Sequence, residues 1–388
     1  MTRTRQALAA AVLLVTGLMA ASAQAAPFKV TLLQMADDPR LDKTRVERAY
    51  LGQPGGSAAD AIQVAIKEAS FELDASGTGV TLEAVSVASA AAAKEAAAKA
   101  EKGGAVALVT DLPADWTLAA TAATALVVLN VGNPADRLRE ADCRPRLLHL
   151  IPSERMRADA LAQTLASQRW QQVLLLTGPS ADDATRSAVA QAAIKRFGLK
   201  LAGSKPFKLS GDPRERDLAN PRLLTQGTYD VVWVVDSQGE FARGLPYRTV
   251  LPRPVVGDAG LAAVAWMAQF ERYGAPQVSR RFAKAAMRPM TGADWSAWMA
   301  GKAITAAAAA EPKARAAAFG KLLIDADLDG SKGVQMTFRA WDGQLRQPLL
   351  LTDGQGVVAT APADGVLHPK NNLDTLGADA PEKLCTKR

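Results

Sequence analysis

Past residue 27, short apolar runs alternate with longer stretches of helical periodicity. Residues 28–33 carry apolar side chains at Phe28, Val30, Leu32 and Leu33, a brief run that predicts a buried strand. Residues 58–69 place Ile62, Ala65, Ile66 and Ala69 on one face, the spacing of an amphipathic helix. Residues 80–85 predict a strand, and 88–102 a helix rich in alanine, lysine and glutamate. Residues 105–110, 116–124 and 125–129 continue the alternation as strand, helix and strand. Strands separated by helical crossovers imply a parallel sheet covered on both faces.

A second series of the same kind follows Pro152. Ser153 is placed to cap a helix over 155–168, and 172–177 predicts a strand ending at Gly178-Pro179-Ser180. A helix over 181–197, a helix near 213–224 and strands over 200–202, 229–235 and 254–256 complete it. Helical patterns return over 262–273, 278–286 and 294–310, and residues 347–351 and 356–359 read as a hairpin. This order predicts two α/β lobes joined by more than one crossing strand, with the late helices rejoining the first lobe. Ligands of open parallel sheets sit beyond the C-terminal strand ends, so loops 34–38, 111–116, 130–133, 178–180, 236–240 and 257–260 are the candidate cleft.

The N-terminus changes the picture by setting the compartment. Arg3 and Arg5 precede an apolar stretch over 7–20, and Ala23-Gln24-Ala25 supplies the small residues of a cleavage site. Residues 1–25 are therefore expected to be a signal peptide, cleaved near Ala25, that exports the protein to the periplasm. The apolar stretch falls short of the ~20 residues of a spanning helix. Roughly 360 residues remain, a natural length for two domains. Hydrophobic content of 48% with 22% charged residues is ordinary for a globular protein.

Charge and inventory narrow the function. Removing Arg3 and Arg5 lowers the net charge from +7 to +5, and no basic stripe interleaved with aromatics points to nucleic acid. A mildly basic balance suits an anionic small ligand. His149 and His368 are the two histidines, too few for a His-rich metal site or most His-based catalysis. There is no nucleophile elbow, P-loop or metal-ligand spacing, and Asp111 and Asp115 across Pro113 make a weak acid–base pair. The expectation is a binding protein, not an enzyme, with no metal. Cys143 and Cys385, in an oxidising compartment, are expected to form one disulfide.

Several strings carry a resemblance to known proteins. They include Asp111-Leu112-Pro113-Ala114-Asp115, Ala141-Asp142-Cys143-Arg144, Leu245-Pro246-Tyr247-Arg248-Thr249, Trp341-Asp342-Gly343-Gln344-Leu345-Arg346-Gln347-Pro348 and Leu373-Asp374-Thr375-Leu376-Gly377. With the element order, they resemble the type I periplasmic solute-binding proteins associated with pyrroloquinoline-quinone-dependent alcohol dehydrogenase systems. The resemblance implies an α/β, bilobal protein with a three-strand hinge, one lobe over 26–151 with 262–330 and the other over 152–261 with 331–388. It also implies a monomer that binds the quinone PQQ, an anionic cofactor, for uptake through a membrane permease or for supply to a dehydrogenase. Another small acid or alcohol-derived metabolite, or a role as a dehydrogenase assembly factor, are the alternatives.

A flat tricarboxylate calls for an aromatic platform and arginine forks. Trp116 is the expected platform, because it opens a helix directly after the 111–116 loop, where Asp115 precedes it. Trp266, near the return crossing, and Trp295, near the start of the 294–310 helix, stand next in line. Arg155 lies in the first turn of the second lobe's first helix, where side chain and helix dipole act together. Arg243 follows the loop that begins at Asp236, and Arg48 with Tyr50 lies in the first loop. Asn130 and Asn133, in Asn130-Val131-Gly132-Asn133-Pro134, offer amides to carboxylates or quinone oxygens, or else serve the turn before Pro134.

Overall fold

The apolar runs at 28–33 and 105–110 become the centre of the first sheet in a computed structural model that describes residues 26–388. The expected signal peptide lies outside the described residues. Strand β1 (Phe28–Met35) leads through α1 (Lys43–Arg48), α2 (Ala58–Glu68) and α3 (Ser70–Ala75) to β2 (Val80–Val87). Then follow α4 (Ala90–Lys102), β3 (Ala105–Asp111), α5 (Ala114–Ala122), β4 (Val127–Asn130) and β5 (Leu147–His149). The five strands are parallel in the order β2-β1-β3-β4-β5. Strands covered on both faces need nearly continuous apolar runs. β3 and β4 have them, whereas β2, at the edge, is largely exposed.

The second lobe repeats the plan with α6 (Glu154–Ser167), β6 (Gln172–Thr177), α7 (Ala181–Arg196), β7 (Lys200–Pro206), α8 (Pro221–Leu224), β8 (Val231–Val235), α9 (Glu240–Gly244) and β9 (Val255–Gly257). Its four strands are parallel in the order β7-β6-β8-β9. Ser153 caps α6 through the Met156 amide, as expected, and Ser180 with Asp183 forms a capping box on α7.

The chain then crosses back in β10 (Ala262–Val264), followed by α10 (Ala275–Ala286), α11 (Gly292–Ala310), α12 (Ala316–Ile324), β11 (Asp327–Asp329), β12 (Gln335–Thr337), β13 (Leu349–Thr352) and β14 (Val357–Ala361). Buried residues of α10, α11 and α12 share one apolar cluster with the first sheet, and α11 packs along α2. Met336, Phe338 and Leu345 belong to that cluster as well, beyond the return at residue 331 that was expected. The hairpin β13–β14 is antiparallel and joins the second lobe's cluster through Leu349, Leu351 and Ala361.

Three segments cross between the clusters. Leu150 belongs to the first and Met156 to the second; Val256 to the second and Ala265 to the first; Leu345 to the first and Leu349 to the second. The crossings are tied by buried amides. The Gln344 side chain donates to the carbonyls of His149 and Ile151, and that of Gln347 donates to the carbonyl of Leu150.

Residues 262–273, expected to be helical, are the main departure. Ala262–Val264 pairs with Leu350–Thr352 as a strand, and an irregular segment follows. Alanine propensity loses here to the ladder that the crossing makes with β13. The turn before it depends on glycine. Gly257 has φ +106, and a Cβ there would stand 2.2 Å from the Val234 carbonyl oxygen. The Cys143–Cys385 disulfide is present, with Cα atoms 5.7 Å apart, and fastens the C-terminal tail beside β5. No helix among the described residues is long and apolar enough to cross a membrane.

Candidate functional site

Loops at the C-terminal ends of strands from both sheets line one cavity of about 590 Å³. The first lobe supplies Gly132 and Pro134 after β4, and the segment between β1 and α2 supplies Arg40, Arg45, Tyr50 and Leu51. The second lobe supplies more. Arg157 and Leu161 project from α6, Arg186 and Val189 from α7, and Trp233 and Val235 from β8. Asp236 to Gly239 and Gly257 with Asp258 complete that side.

Four arginines and four carboxylates line the cavity, so its formal charges balance. Two of the arginines are already paired. Arg40 meets Asp38 at 2.5 Å and Asp111 at 2.6 Å, and donates to the Gly132 carbonyl at 3.2 Å. Arg186 meets Asp258 at 2.6 Å and lies 3.5 Å from Glu154. Burial alone would lower both guanidinium pKa values, but the carboxylates outweigh it and raise them. Burial pushes the Asp258 carboxyl up against the pull of Arg186; the short contact and the permanently charged guanidinium keep the pair ionised.

The other two arginines keep donors in reserve. The Arg45 guanidinium makes one hydrogen bond among the described residues, to the Ser237 carbonyl at 3.1 Å. Arg157 stands 3.6 Å from Glu154, and its Nε is buried with no hydrogen-bond partner among the described residues. An unpaired buried N–H is costly; Arg155 Nε is unpaired as well, but of the residues with such an orphaned atom Arg157 is the one that lines the cavity. The same cavity is lined by Ala158, Leu161, Val189, Ala190 and Trp233, an apolar wall. The arrangement suits a carboxylate attached to an apolar body.

Most of the expected site residues fall elsewhere. Trp116 is half-buried in α5 and packs on the cluster between that helix, α4 and the sheet, outside the cavity. Asp115 is exposed and paired with Arg137 at 2.5 Å. Trp266 and Trp295 are core: their rings stack at 6.4 Å, Trp266 donates to Ser279 Oγ, and Trp295 donates to the Gly330 carbonyl. Asn130 is fully buried. Its Oδ1 accepts from the Gly132 and Asn133 amides and its Nδ2 donates to the Asn133 carbonyl. Asn133 in turn bridges Leu112 and Ala135, so the turn chemistry claims both amides.

Arg155 is drawn to the tail. It pairs with Glu382 at 2.6 Å and approaches Glu140 and Asp159, and it does not line the cavity. Arg243 donates to the Glu47 carbonyl, also outside the lining. Of the expected residues Tyr50 and Asp236 reach the cavity wall. The Asp236 carboxylate, however, is engaged by the Phe241 and Ala242 amides at the start of α9, and Arg48 stays outside the lining, 3.4 Å from Glu240.

Arg157 was legible in part. On a helix, residues two apart point roughly 200° apart, so Arg155 and Arg157 serve opposite sides of α6. Arg157 shares its face with Leu161, one turn on. Trp233 on β8 is 3% exposed, a core residue that also borders the cavity.

No protein-family model matches the chain, and no curated protein matches it by sequence. Solved structures do match. A branched-chain amino acid ABC transporter periplasmic ligand-binding protein from Burkholderia xenovorans aligns with TM-score 0.71 at 14% identity, covering 93% of this chain and 99% of that one. An ABC transporter solute-binding protein from R. palustris in complex with benzoate aligns with TM-score 0.64 at 15% identity, covering 89% and 100%. An ABC transporter substrate-binding protein from Desulfitobacterium hafniense in complex with Leu gives 0.66 at 15% identity, covering 85% and 98%. Two parallel-sheet lobes, three crossings and a cavity at the strand ends go with that similarity: the chain has the α/β, bilobal fold of the type I periplasmic binding proteins.

Proposed function

We propose that this protein is a periplasmic solute-binding protein that captures a small organic carboxylate between its lobes and delivers it to a membrane permease, without catalysis. The observation that carries the reading is Arg157, whose buried Nε has no partner beside an apolar wall in the strand-end cavity. A carboxylate would accept from Arg157 and Arg45 while its apolar body lies against Leu161, Val189 and Trp233. The balanced charge of the lining favours a ligand with one net negative charge or none. Structures of the same fold hold benzoate, 3,4-dihydroxybenzoic acid and Leu, which is the same range of chemistry.

Pyrroloquinoline quinone is the most highly charged candidate of this class. Its three carboxylates outnumber the two arginines with free donors, so we expect simpler aromatic or branched aliphatic acids to bind more tightly. The test is calorimetric titration of the mature protein with benzoate, 3,4-dihydroxybenzoate, leucine and the quinone. One-to-one saturation by a monoacid, lost in Arg157→Ala, supports the reading. Tightest binding by the quinone would restore the cofactor as the ligand, and no saturation by any of the four would leave a docking role on a dehydrogenase as the better account.

A further inference from the structure

Residues 39–54 leave β1 within the first lobe, yet their middle lies on the second. Arg45 Nη2 donates to the Ser237 carbonyl at 3.1 Å, and Tyr50 Oη donates to the Asp353 carbonyl at 3.1 Å. Arg48 stands 3.4 Å from Glu240, and Arg243 donates back to the Glu47 carbonyl. The backbones come close at Gly239, which has φ +77: a Cβ there would stand 3.1 Å from Ala49 Cα. The beginning of the segment is anchored to its own lobe, because Arg40 bridges Asp38 and Asp111.

Two of these contacts end on main-chain carbonyls of the second lobe, Ser237 and Asp353, whose positions are set by that lobe's fold, and a third runs from the second lobe's Arg243 to the strap's own Glu47 carbonyl. They hold the middle of the segment to the second lobe while Arg40 and Asp111 hold its start to the first, so the segment bridges the two. The same segment also lines the cavity, through Arg45, Tyr50 and Leu51. We propose that residues 39–54 form a strap that fastens the closed lobes over the bound solute, with Arg45 and Tyr50 as residues that hold both the solute and the second lobe. The proposal rests on the solute-binding reading above. A solute leaves only after the lobes part, so the strap acts on dissociation, whereas association to the open form is indifferent to it.

Amide hydrogen exchange on the ligand-free mature protein tests the strap without any solute. Arg243→Ala removes a second-lobe donor far in sequence from the strap and outside the cavity. We expect exchange of the Val46 amide in α1 and of the Ala49 amide that closes it to rise about fivefold, the size of one lost hydrogen bond, with β8 amides unchanged. Stopped-flow release of benzoate as probe then reads retention: Arg243→Ala and Tyr50→Phe should each speed dissociation about fivefold and leave association within twofold. Unchanged α1 exchange, or unchanged benzoate release, would overturn the proposal. If the wild type does not bind benzoate, the exchange readout alone decides on the strap, and the solute-binding reading is judged by the titration above.

Discussion

The two lobes meet the cavity with different kinds of surface. In the first, the strand-end loops use their polar groups on themselves: Asn130 and Asn133 close a turn, and Arg40 is paired with Asp38 and Asp111. In the second, α6 and α7 present long side chains, and Arg157 has a nitrogen left over. Aromatic mass divides the same way. The first lobe keeps Trp266, Trp295 and Trp298 inside, while the second places Trp233 where core and cavity meet. A polar or aromatic residue at a strand end is thus available to a ligand only when neither its turn nor its core has claimed it.

The contrast is most sharply tested in the core of the first lobe. Trp295→Ala should lower stability by about 3–5 kcal/mol, because it removes a fully buried indole stacked on Trp266. Urea unfolding measures the loss, and solute affinity of the folded fraction should stay within twofold. Lost binding with little change in the unfolding midpoint would move Trp295 to the ligand and undo the contrast.

Next in size is a paired substitution on α6. Arg157→Ala should weaken carboxylate binding by roughly ten- to a hundredfold, about 1.5–3 kcal/mol for a hydrogen bond to a charged group. Arg155→Ala, two residues away, should leave affinity within twofold, since its partner is Glu382 in the tail. Titration of both variants decides it, and the reverse ranking would place the ligand against the tail.

The smallest effect concerns the crossing after β5. Burial holds the His149 imidazole well below its usual pKa, with Arg139 and Arg388 adding to the depression. Nδ1 accepts from Asn130, and Nε2 is buried without a partner among the described residues. The unfolded chain therefore takes up a proton that the folded one refuses. This group's contribution is present above about pH 6.5 and is lost as pH falls, up to about 2 kcal/mol by pH 5. Thermal unfolding of His149→Gln should consequently decline less between pH 7 and pH 5 than that of the wild type. Parallel declines would show that His149 charges without cost.

Much of this molecule is legible in its pattern. The alternation of apolar runs with helical stretches yields both parallel sheets, Ser153 caps the helix that follows it, and the hairpin near 350 is antiparallel. The exceptions have a common physical origin. Residues 262–267 are alanine-rich and look helical, but as a crossing they must reach from one cluster to the other, and β13 offers them a ladder. The strap over 39–54 has little apolar periodicity of its own; its position depends on carbonyls and side chains some two to three hundred residues away.

The sequence by itself determined the element order, the strand-end location of the cavity and the pairing of Cys143 with Cys385, because periodicity, parallel crossovers and a two-cysteine inventory each leave few alternatives. Only the tertiary structure decided which tryptophans and arginines meet the cavity. Indoles and guanidiniums have the same local signature whether they face a ligand, a helix or a tail. The Nε atoms of Arg155 and Arg157 are both buried without a hydrogen-bond partner among the described residues. What separates the two is that folding crowds Glu382, Glu140 and Asp159 around Arg155, whereas Arg157 is turned to the cavity wall.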